Sequence, residues 1–516
     1  MNGAESLVRT LVAADVDVCF TNPGTSEMHF VAALDRVDGM RCVLGLFEGV
    51  VTGAADGYYR IAGKPASTLL HLGPGLGNGL ANLHNAKRAR SGIVNIIGEH
   101  ATYHIKHDAP LTSDIEGVAR PMSDWVKTST SATTLANDVA EAISASREGP
   151  GKIATLIVPA DNQWNEASGV AKVAASKARQ RTSNESVVAA AKALREQGKA
   201  GLLLLGGAAC RGRALELAGR ISAKTGCSLS AEYANARLER GAGRVQLPRI
   251  PYVVDVAMKA LKDVRHLVLA GSVVPVAFFA YPNKPSMLTP PDCKVTTLAT
   301  VEQDLEHALE ALATELDALN NPPAHIASTS RPEVPKGPIT QEGIAAILGA
   351  HMPDNAIVVD EAVTTGRGFA SLTAGAAPHD WLSIMGGAIG FALPCSVGAA
   401  IAARNRKVVA LEGDGSAMYT LQALWTMARN SLDVTILVFA NRSYQILRGE
   451  LAGVGAGEPG EKAKDMLMID RPDLDWVGLA KAQGVEASRA TTLEELESQF
   501  KRGLASSGPY LIEVVL

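Results

Sequence analysis

Aromatic residues are scarce in this chain, at 4% of 516 residues, and cysteines are few and scattered. The thiols Cys19, Cys42, Cys210, Cys227, Cys293 and Cys395 include no CxxC pair, which argues against a zinc framework or a disulfide scaffold. They read as reduced, buried thiols of a cytoplasmic protein. No basic run interleaved with aromatics occurs and the formal net charge is -4, so no nucleic-acid partner is expected. The opening Met1-Asn2-Gly3-Ala4-Glu5 lacks a basic stretch followed by an apolar one. With no long apolar run elsewhere, neither a signal peptide nor a membrane partner is expected.

What is present suits layered α/β packing. Apolar residues make up 47% and charged residues 20%, and the 49 glycines, with abundant alanine, let helices sit close to a sheet. A chain of this length exceeds one hydrophobic core, and three domains is the natural division. The pattern predicts an α/β fold of three doubly wound parallel-sheet domains. They cover residues 1–165, 185–320 and 338–516, and the stretches around 165–186 and 320–338 read as linkers.

Short apolar runs mark the strands. In the first unit they are 16–20, closed by the turn Asn22-Pro23-Gly24, then 43–47, 68–71 and 93–97. In the second they are 202–205 before Gly206-Gly207 and 267–269 before Gly271. In the third they are 357–360, 408–411, 434–439 and 510–515, with helices at 341–350, 417–429 and 493–503.

The strongest local signal is Gly413-Asp414-Gly415-Ser416, set between a strand and a helix, with Asn441 ending the next strand. Open α/β sheets bind ligands at the carboxyl ends of their strands. The glycines permit close backbone approach, and the helix start favours a phosphate. Asp414 and Asn441 can meet there as hard oxygen ligands. Magnesium takes about six oxygens, typically including phosphate oxygens. A plain turn at the sheet edge is the alternative reading.

Gly-Asp-Gly-Ser followed by Asn441-Arg442-Ser443-Tyr444 resembles the diphosphate–magnesium motif of thiamine-diphosphate enzymes of the decarboxylase and acetolactate-synthase superfamily. The resemblance implies two cofactors, thiamine diphosphate and Mg2+. It assigns the metal to Asp414, Asn441 and Ser443, the last through its main-chain carbonyl. It also implies contacts to the cofactor from Gly413, Gly415, Ser416 and Tyr444. Further upstream, Phe47-Glu48-Gly49 through Tyr58-Tyr59-Arg60 resembles the family's glutamate segment. There a carboxyl group beside a pyrimidine nitrogen favours the tautomer that can take up the thiazolium proton. Met385-Gly386-Gly387-Ala388-Ile389-Gly390 resembles the stretch in which a carbonyl, here that of Gly387, accepts from the pyrimidine amine. Ile389 would then support the bent cofactor. In Glu361-Ala362-Val363-Thr364, Thr364 keeps a hydroxyl for the diphosphate.

Within the superfamily the overall look is nearest to the benzoylformate decarboxylases. Asn22-Pro23-Gly24-Thr25-Ser26-Glu27 and Leu70-His71 match their first-loop and histidine segments. That likeness implies cofactor contacts from Asn22, Pro23 and Asn78, and it makes Glu48, His71 and Thr25 the catalytic group. The expected activity is decarboxylation or carboligation of a small-molecule 2-oxo acid by a homodimer or homotetramer with sites at the subunit interface. The second histidine of those enzymes aligns with Phe279, and the glutamine of the synthases with Leu111. Acetolactate-like carboligation of pyruvate, or an inert cofactor-binding paralogue, are the alternatives. His100, His104 and His107 cluster ahead of Leu111 and read as a solvated loop, and His29 reads as a helix-face residue.

Overall fold

A computed structural model describes residues 1–516. Three sheets organise the chain, of six, four and seven strands. The first contains β1 (Val18–Asn22), β2 (Arg41–Leu44), β3 (Ala66–Leu70), β4 (Ile93–Glu99), β5 (Trp125–Thr128) and β6 (Ile153–Pro159). All are parallel, in the order β2-β1-β3-β4-β6-β5. The second sheet is parallel in the order β11-β10-β7-β8, from β7 (Gly201–Leu205), β8 (Ser228–Ala231), β10 (His266–Ala270) and β11 (Lys294–Ala299).

The third sheet runs β16-β17-β15-β14-β12-β13-β9. Its strands are β9 (Leu238–Arg240), β12 (Ala356–Glu361), β13 (His379–Ser383), β14 (Val408–Gly413), β15 (Val434–Ala440), β16 (Glu486–Ala490) and β17 (Tyr510–Val515). Only β9 is antiparallel, and it comes from the middle of the chain. Strands such as β4, β6 and β15 are buried along their whole length, because helices cover both faces of a parallel sheet. No helix is long and apolar enough to cross a membrane.

Each sheet contains a point at which neighbouring strands are wound in opposite directions. The reversal falls between β1 and β3, between β7 and β10, and between β12 and β14. Such switch points open a crevice at the strand ends. The second one is filled: a Cβ built on Gly206 would overlap the carbonyl of Gly271, and Val301 and Leu305 pack over Gly207. The first and third remain available and carry the polar residues described below.

Several sequence expectations shift. The first strand spans β1 rather than 16–20, so Asn22 is its last residue and not a turn residue. Val16 is buried, but its N–H closes the preceding helix onto Leu11. The glycine run 73–79 forms the first half of a helix, Leu72–Ala89. The single helix expected at 417–429 is broken into Asp414–Ala417 and Ala423–Arg429. The break is tertiary: between the two pieces, the Thr420 hydroxyl donates to the Gly390 carbonyl at 3.1 Å.

The first and third sheets are joined by the helices Glu48–Ala62 and Ala392–Ala402. Their backbones touch: a Cβ on Gly57 would overlap the Cys395 carbonyl, and one on Gly398 would overlap that of Ala54. Arg60, fully buried, pairs with Asp56 at 2.7 Å and donates to the Ser383 carbonyl, also at 2.7 Å. One buried apolar cluster runs through both helices and both sheets. Overpacking a close contact costs about 1–3 kcal/mol. Gly398→Ala is therefore expected to reduce the unfolding free energy by an amount in that range, read as a lower denaturant midpoint at unchanged slope, and an unchanged midpoint would contradict the contact.

Candidate functional site

The first switch point gathers polar groups from four segments. The loop after β1 carries Pro23, Gly24 and exposed Thr25 into a short turn, Thr25–Glu27. Asn22 donates to the Gly45 carbonyl at 2.7 Å, tying the ends of β1 and β2 together. His71, which follows β3, caps the glycine-rich helix, and its Nδ1 lies 2.8 Å from Glu27 Oε2. Glu27 is wholly buried and also accepts from Gly24 N–H at 2.7 Å. Burial pushes its carboxyl above the usual range, with the charge of His71 working against that. Its Oε1 has no partner.

Glu48 is the first residue of its helix, where the dipole favours a carboxylate. Asn78 donates to its Oε2 at 3.0 Å. A Cβ on Gly75 would stand 3.5 Å from both Glu48 Oε1 and His71 Cβ, so the first turns of the glycine-rich helix separate the two groups by very little. His71, Glu48 and Asn78 thus belong to one crevice, with Gly24 packed on His71 and Thr25 next to it in the chain.

The third switch point is built around Asp414. Its carboxylate, 3% exposed, accepts from Gly415 N–H at 2.9 Å and from Arg442 N–H at 2.7 Å. Burial raises it to about 6. A buried acid without a positive side chain on it is what a cation site requires. Asn441 Oδ1 accepts from Ser443 N–H at 3.0 Å, which folds 441–443 back toward Asp414. The Tyr444 ring packs on Gly415. Around Gly413 the nearest groups are Ser416 Oγ and the Glu361 carbonyl, 3.7 and 3.9 Å from a built Cβ, so the backbone there is not crowded by side chains. Half-buried Thr364 follows β12 at the same edge. The donor set, one carboxylate, one amide and main-chain carbonyls, is all oxygen and fits magnesium.

The stretch 385–390 is fixed from two sides. Asn85 donates to the Ala388 carbonyl at 2.8 Å, and His84 contacts that of Gly386 at 3.1 Å. Asn82 donates to the carbonyls of Gly49 and Gly390, at 2.9 and 3.1 Å. Gly387 sits at φ +76°, a conformation that favours glycine, and half-buried Ile389 follows it. From below, Glu361 accepts the N–H groups of Gly390, Phe391 and Ala392 at 3.0, 2.7 and 2.8 Å. It caps the Ala392–Ala402 helix.

Sequence reasoning gave no role to Glu27, Glu361, Asn82 or Asn85. Glu27 and Glu361 do lie inside motifs quoted for other residues, and Asn82 and Asn85 share a helix face at i, i+3 spacing. Glu412 stands opposite Glu361 on the neighbouring strand, fully buried, with neither carboxylate oxygen partnered. Burial lifts Glu361 to about 7, and burial with the Glu361 charge lifts Glu412 well above the carboxylate range. Burial and the like charge of its neighbour both disfavour the ionised form of Glu412.

The remaining candidates make other contacts. The rings of His100, His104 and His107 stack at 5.4 and 5.9 Å, and no cluster of His, Cys, Asp or Glu is arranged to hold a metal. His29 packs on Trp164 at 5.5 Å. Leu111 and Phe279 are both exposed.

Two family models match the chain. The N-terminal TPP binding domain of thiamine pyrophosphate enzymes covers residues 1–118, and the C-terminal TPP binding domain covers 366–514. A Mycobacterium tuberculosis protein provisionally named acetolactate synthase large subunit IlvX is 51% identical over 100% of this chain and 99% of its own. Benzoylformate decarboxylase of Pseudomonas aeruginosa is 30% identical, over 96% of this chain and 95% of its own. Among solved structures, the thiamine diphosphate-dependent 4-hydroxybenzoylformate decarboxylase of Rhodococcus jostii superposes with a TM-score of 0.85 at 24% identity, covering 99% and 98% of the two chains.

Burial of Glu27 has a consequence for stability. The folded chain keeps that proton at pH values where the unfolded chain, near 4.5, has released it. Its contribution is complete below the unfolded value and is lost as pH rises through the native one. Glu27→Gln, which cannot ionise, is expected to gain stability relative to the parent as pH rises above 4.5. Denaturant midpoints measured as pH is raised check this, and parallel curves for the two proteins would contradict it.

Proposed function

The chain belongs to the thiamine pyrophosphate enzyme family, and from that premise we propose that it uses thiamine diphosphate and Mg2+ to join the acyl unit of a small 2-oxo acid to a carbonyl acceptor, in the manner of an acetolactate synthase. The 51% relative, matched over the full length of both chains, supports carboligation. The observation that carries the catalytic reading is the placement of Glu48 and Asp414 at the two open switch points, one on each end-unit of the chain.

In this reading Asp414 and Asn441 hold Mg2+ through side-chain oxygens, and Ser443 does so through its carbonyl. Gly413, Gly415, Ser416 and Thr364 receive the diphosphate at a helix start, with Tyr444 beside them. The Gly387 carbonyl takes the pyrimidine amine and Ile389 gives apolar support. Asn22, Pro23 and Asn78 line the pyrimidine side. Glu48 shares a proton with the pyrimidine ring nitrogen, and Asn78 holds that carboxyl in place. When bound, the cofactor supplies the carbon nucleophile and electron sink that cleavage next to a 2-oxo group needs. Thr25 and His71 face the reacting acid, and Glu27 fixes the ring of His71. The two halves meet in a homodimer or homotetramer, each site drawing on two chains.

Decarboxylation to an aldehyde is the second reading. It is favoured by the Glu27–His71 pair, a proton donor held at the mouth of the crevice, and by the 30% identity to benzoylformate decarboxylase. An inert paralogue is disfavoured by Glu48, since cofactor binding alone needs no proton-sharing carboxyl.

Incubating a panel of 2-oxo acids with the cofactors, with and without an added aldehyde or second 2-oxo acid, separates the readings by product: an acetolactate-type hydroxy acid or a free aldehyde. General acid–base groups contribute about 10²–10⁴-fold to rate. Glu48→Gln is expected to lower kcat by that factor while calorimetry still detects cofactor binding, and full turnover in this variant would end the proposal. Asp414→Ala is expected to abolish Mg2+-dependent cofactor retention, and unaltered retention would remove Asp414 from the metal site.

A further inference from the structure

Beside Gly387 stands a group of aromatic side chains that the cofactor reading leaves without a role. In a chain with so few aromatics, Tyr233, Tyr252, Phe278 and Phe279 stack in contact, with ring centroids 5.0 to 6.2 Å apart. Tyr233, Phe278 and Phe279 are 40%, 46% and 52% exposed, unusual for side chains this large. Phe278 reaches the cofactor loop: its Cζ lies 3.0 Å from where a Cβ on Gly387 would sit.

The segment that carries these phenylalanines has little secondary structure of its own. Between β10 and β11 it is pinned by one bridge, Val276 to Met287, and by a few turn bonds. Such a loop needs side-chain anchors to hold a bulky wall in one place. The anchor comes from another part of the chain. Glu450 lies on the helix Gln445–Gly453, which directly follows Asn441–Tyr444. Its Oε1 accepts from the Tyr252 hydroxyl at 3.0 Å, and its Oε2 accepts from the Tyr281 hydroxyl at 2.8 Å. One carboxylate thus takes two phenols, one from each side of the wall. Hydrogen bonds to an ionised acceptor are roughly twice as strong as neutral ones. Both phenols are raised above their usual value by burial and by Glu450, which keeps them protonated as donors. Lys284, paired with Asp255 at 2.7 Å, lies over the Tyr281 ring.

We propose that Glu450 is a positioning residue that clamps Tyr252 and Tyr281 and so fixes an aromatic wall against Gly387, which sets the size of the side chain admitted beside the reacting carbonyl. The inference rests on the reading of Gly387 as a cofactor contact. Its physical content is that pocket size is governed by a carboxylate on the helix following the metal-binding residues. Anything that moves that helix moves the wall. Phe278 presents only ring carbon to Gly387, so this side of the wall receives apolar substituents and gives no partner to a charged one.

The test uses the full-length protein with its cofactors, Glu450→Gln, and the double variant Tyr252→Phe/Tyr281→Phe. Hydrogen exchange of segments 272–292 and 445–453 is measured first, because it needs no turnover. Both variants are expected to exchange faster in both segments, and unchanged protection would overturn the clamp. Steady-state rates with pyruvate and with a phenyl-bearing 2-oxo acid follow. The ratio of kcat/KM for the two substrates is expected to change by about tenfold in both variants, mostly through KM, while kcat with the better substrate stays within about threefold. Faster exchange with an unchanged ratio would show a structural contact without a role in selection, and would overturn the proposal. If the parent protein turned over no 2-oxo acid while the exchange result held, the functional reading would fail and the clamp would stand.

Discussion

The contact on which the rest depends is the backbone-to-backbone approach of the helices Glu48–Ala62 and Ala392–Ala402. It places one open switch point on each side of a single rigid seam. Glu48 begins the first helix, and the 385–390 loop runs into the second. Gly57 and Gly398 allow the approach, Arg60 and Asp56 fill it with a buried pair, and Asn82 spans it by donating to the carbonyls of Gly49 and Gly390. A buried pair of this kind adds little net stability, but removing one partner strands the other, so the seam tolerates few alternatives. The positions of Glu48 and Gly387 are therefore set together, by the same packing.

The glycine-rich helix shows why such a seam overrides local preference. Each glycine inside a helix costs about 1 kcal/mol relative to alanine, and 73–79 contains four. The helix forms because its glycines let neighbours in. Thr52 donates to the Gly79 carbonyl at 2.9 Å, and Glu48 and His71 close on Gly75. The helix is held by tertiary packing, and its small residues are the reason His71 and Glu48 share one crevice.

Legibility in the sequence followed the range of the interactions. Gly413 through Ser416 and Asn441 could be placed because each ends an apolar run, and strand-end logic is local. Three parallel-sheet units and most strands followed from the same signal. The break at 418–422 could not be read, since it depends on Thr420 reaching Gly390, thirty positions away. β9 could not be assigned to the third sheet, because its pairing with β13 joins segments that share no local pattern. Asn82 and Asn85 were silent for the same reason: their partners lie more than 300 positions downstream. Glu27 and Glu361 sat inside recognisable motifs, yet their work is to hold His71 and the Gly390 turn, and a motif shows who is present without showing who supports whom.

The second sheet completes the argument by contrast. All three sheets have a switch point, and topology alone would offer three ligand crevices. In the second, Gly206 and Gly271 use their missing side chains to bring the two strand ends into contact, and Val301 and Leu305 cover what remains. In the first, Gly24 lets His71 close against the end of β1, and in the third Gly413 meets nothing nearer than 3.7 Å, with polar groups standing around both. The same residue type closes one crevice and leaves another uncrowded, so glycine at a strand end does not by itself mark a binding site. What distinguishes the first and third is how deeply the carboxylate at the edge is buried: Glu27, against His71, and Asp414 are 0% and 3% exposed, whereas Glu232 beside Gly206 is half-buried. An isolated buried acid is costly unless a proton or a cation joins it. That cost reaches all three edges, since burial also raises Glu232, but at Asp414, where no side-chain cation pairs the carboxylate, it is left for a bound cation to offset.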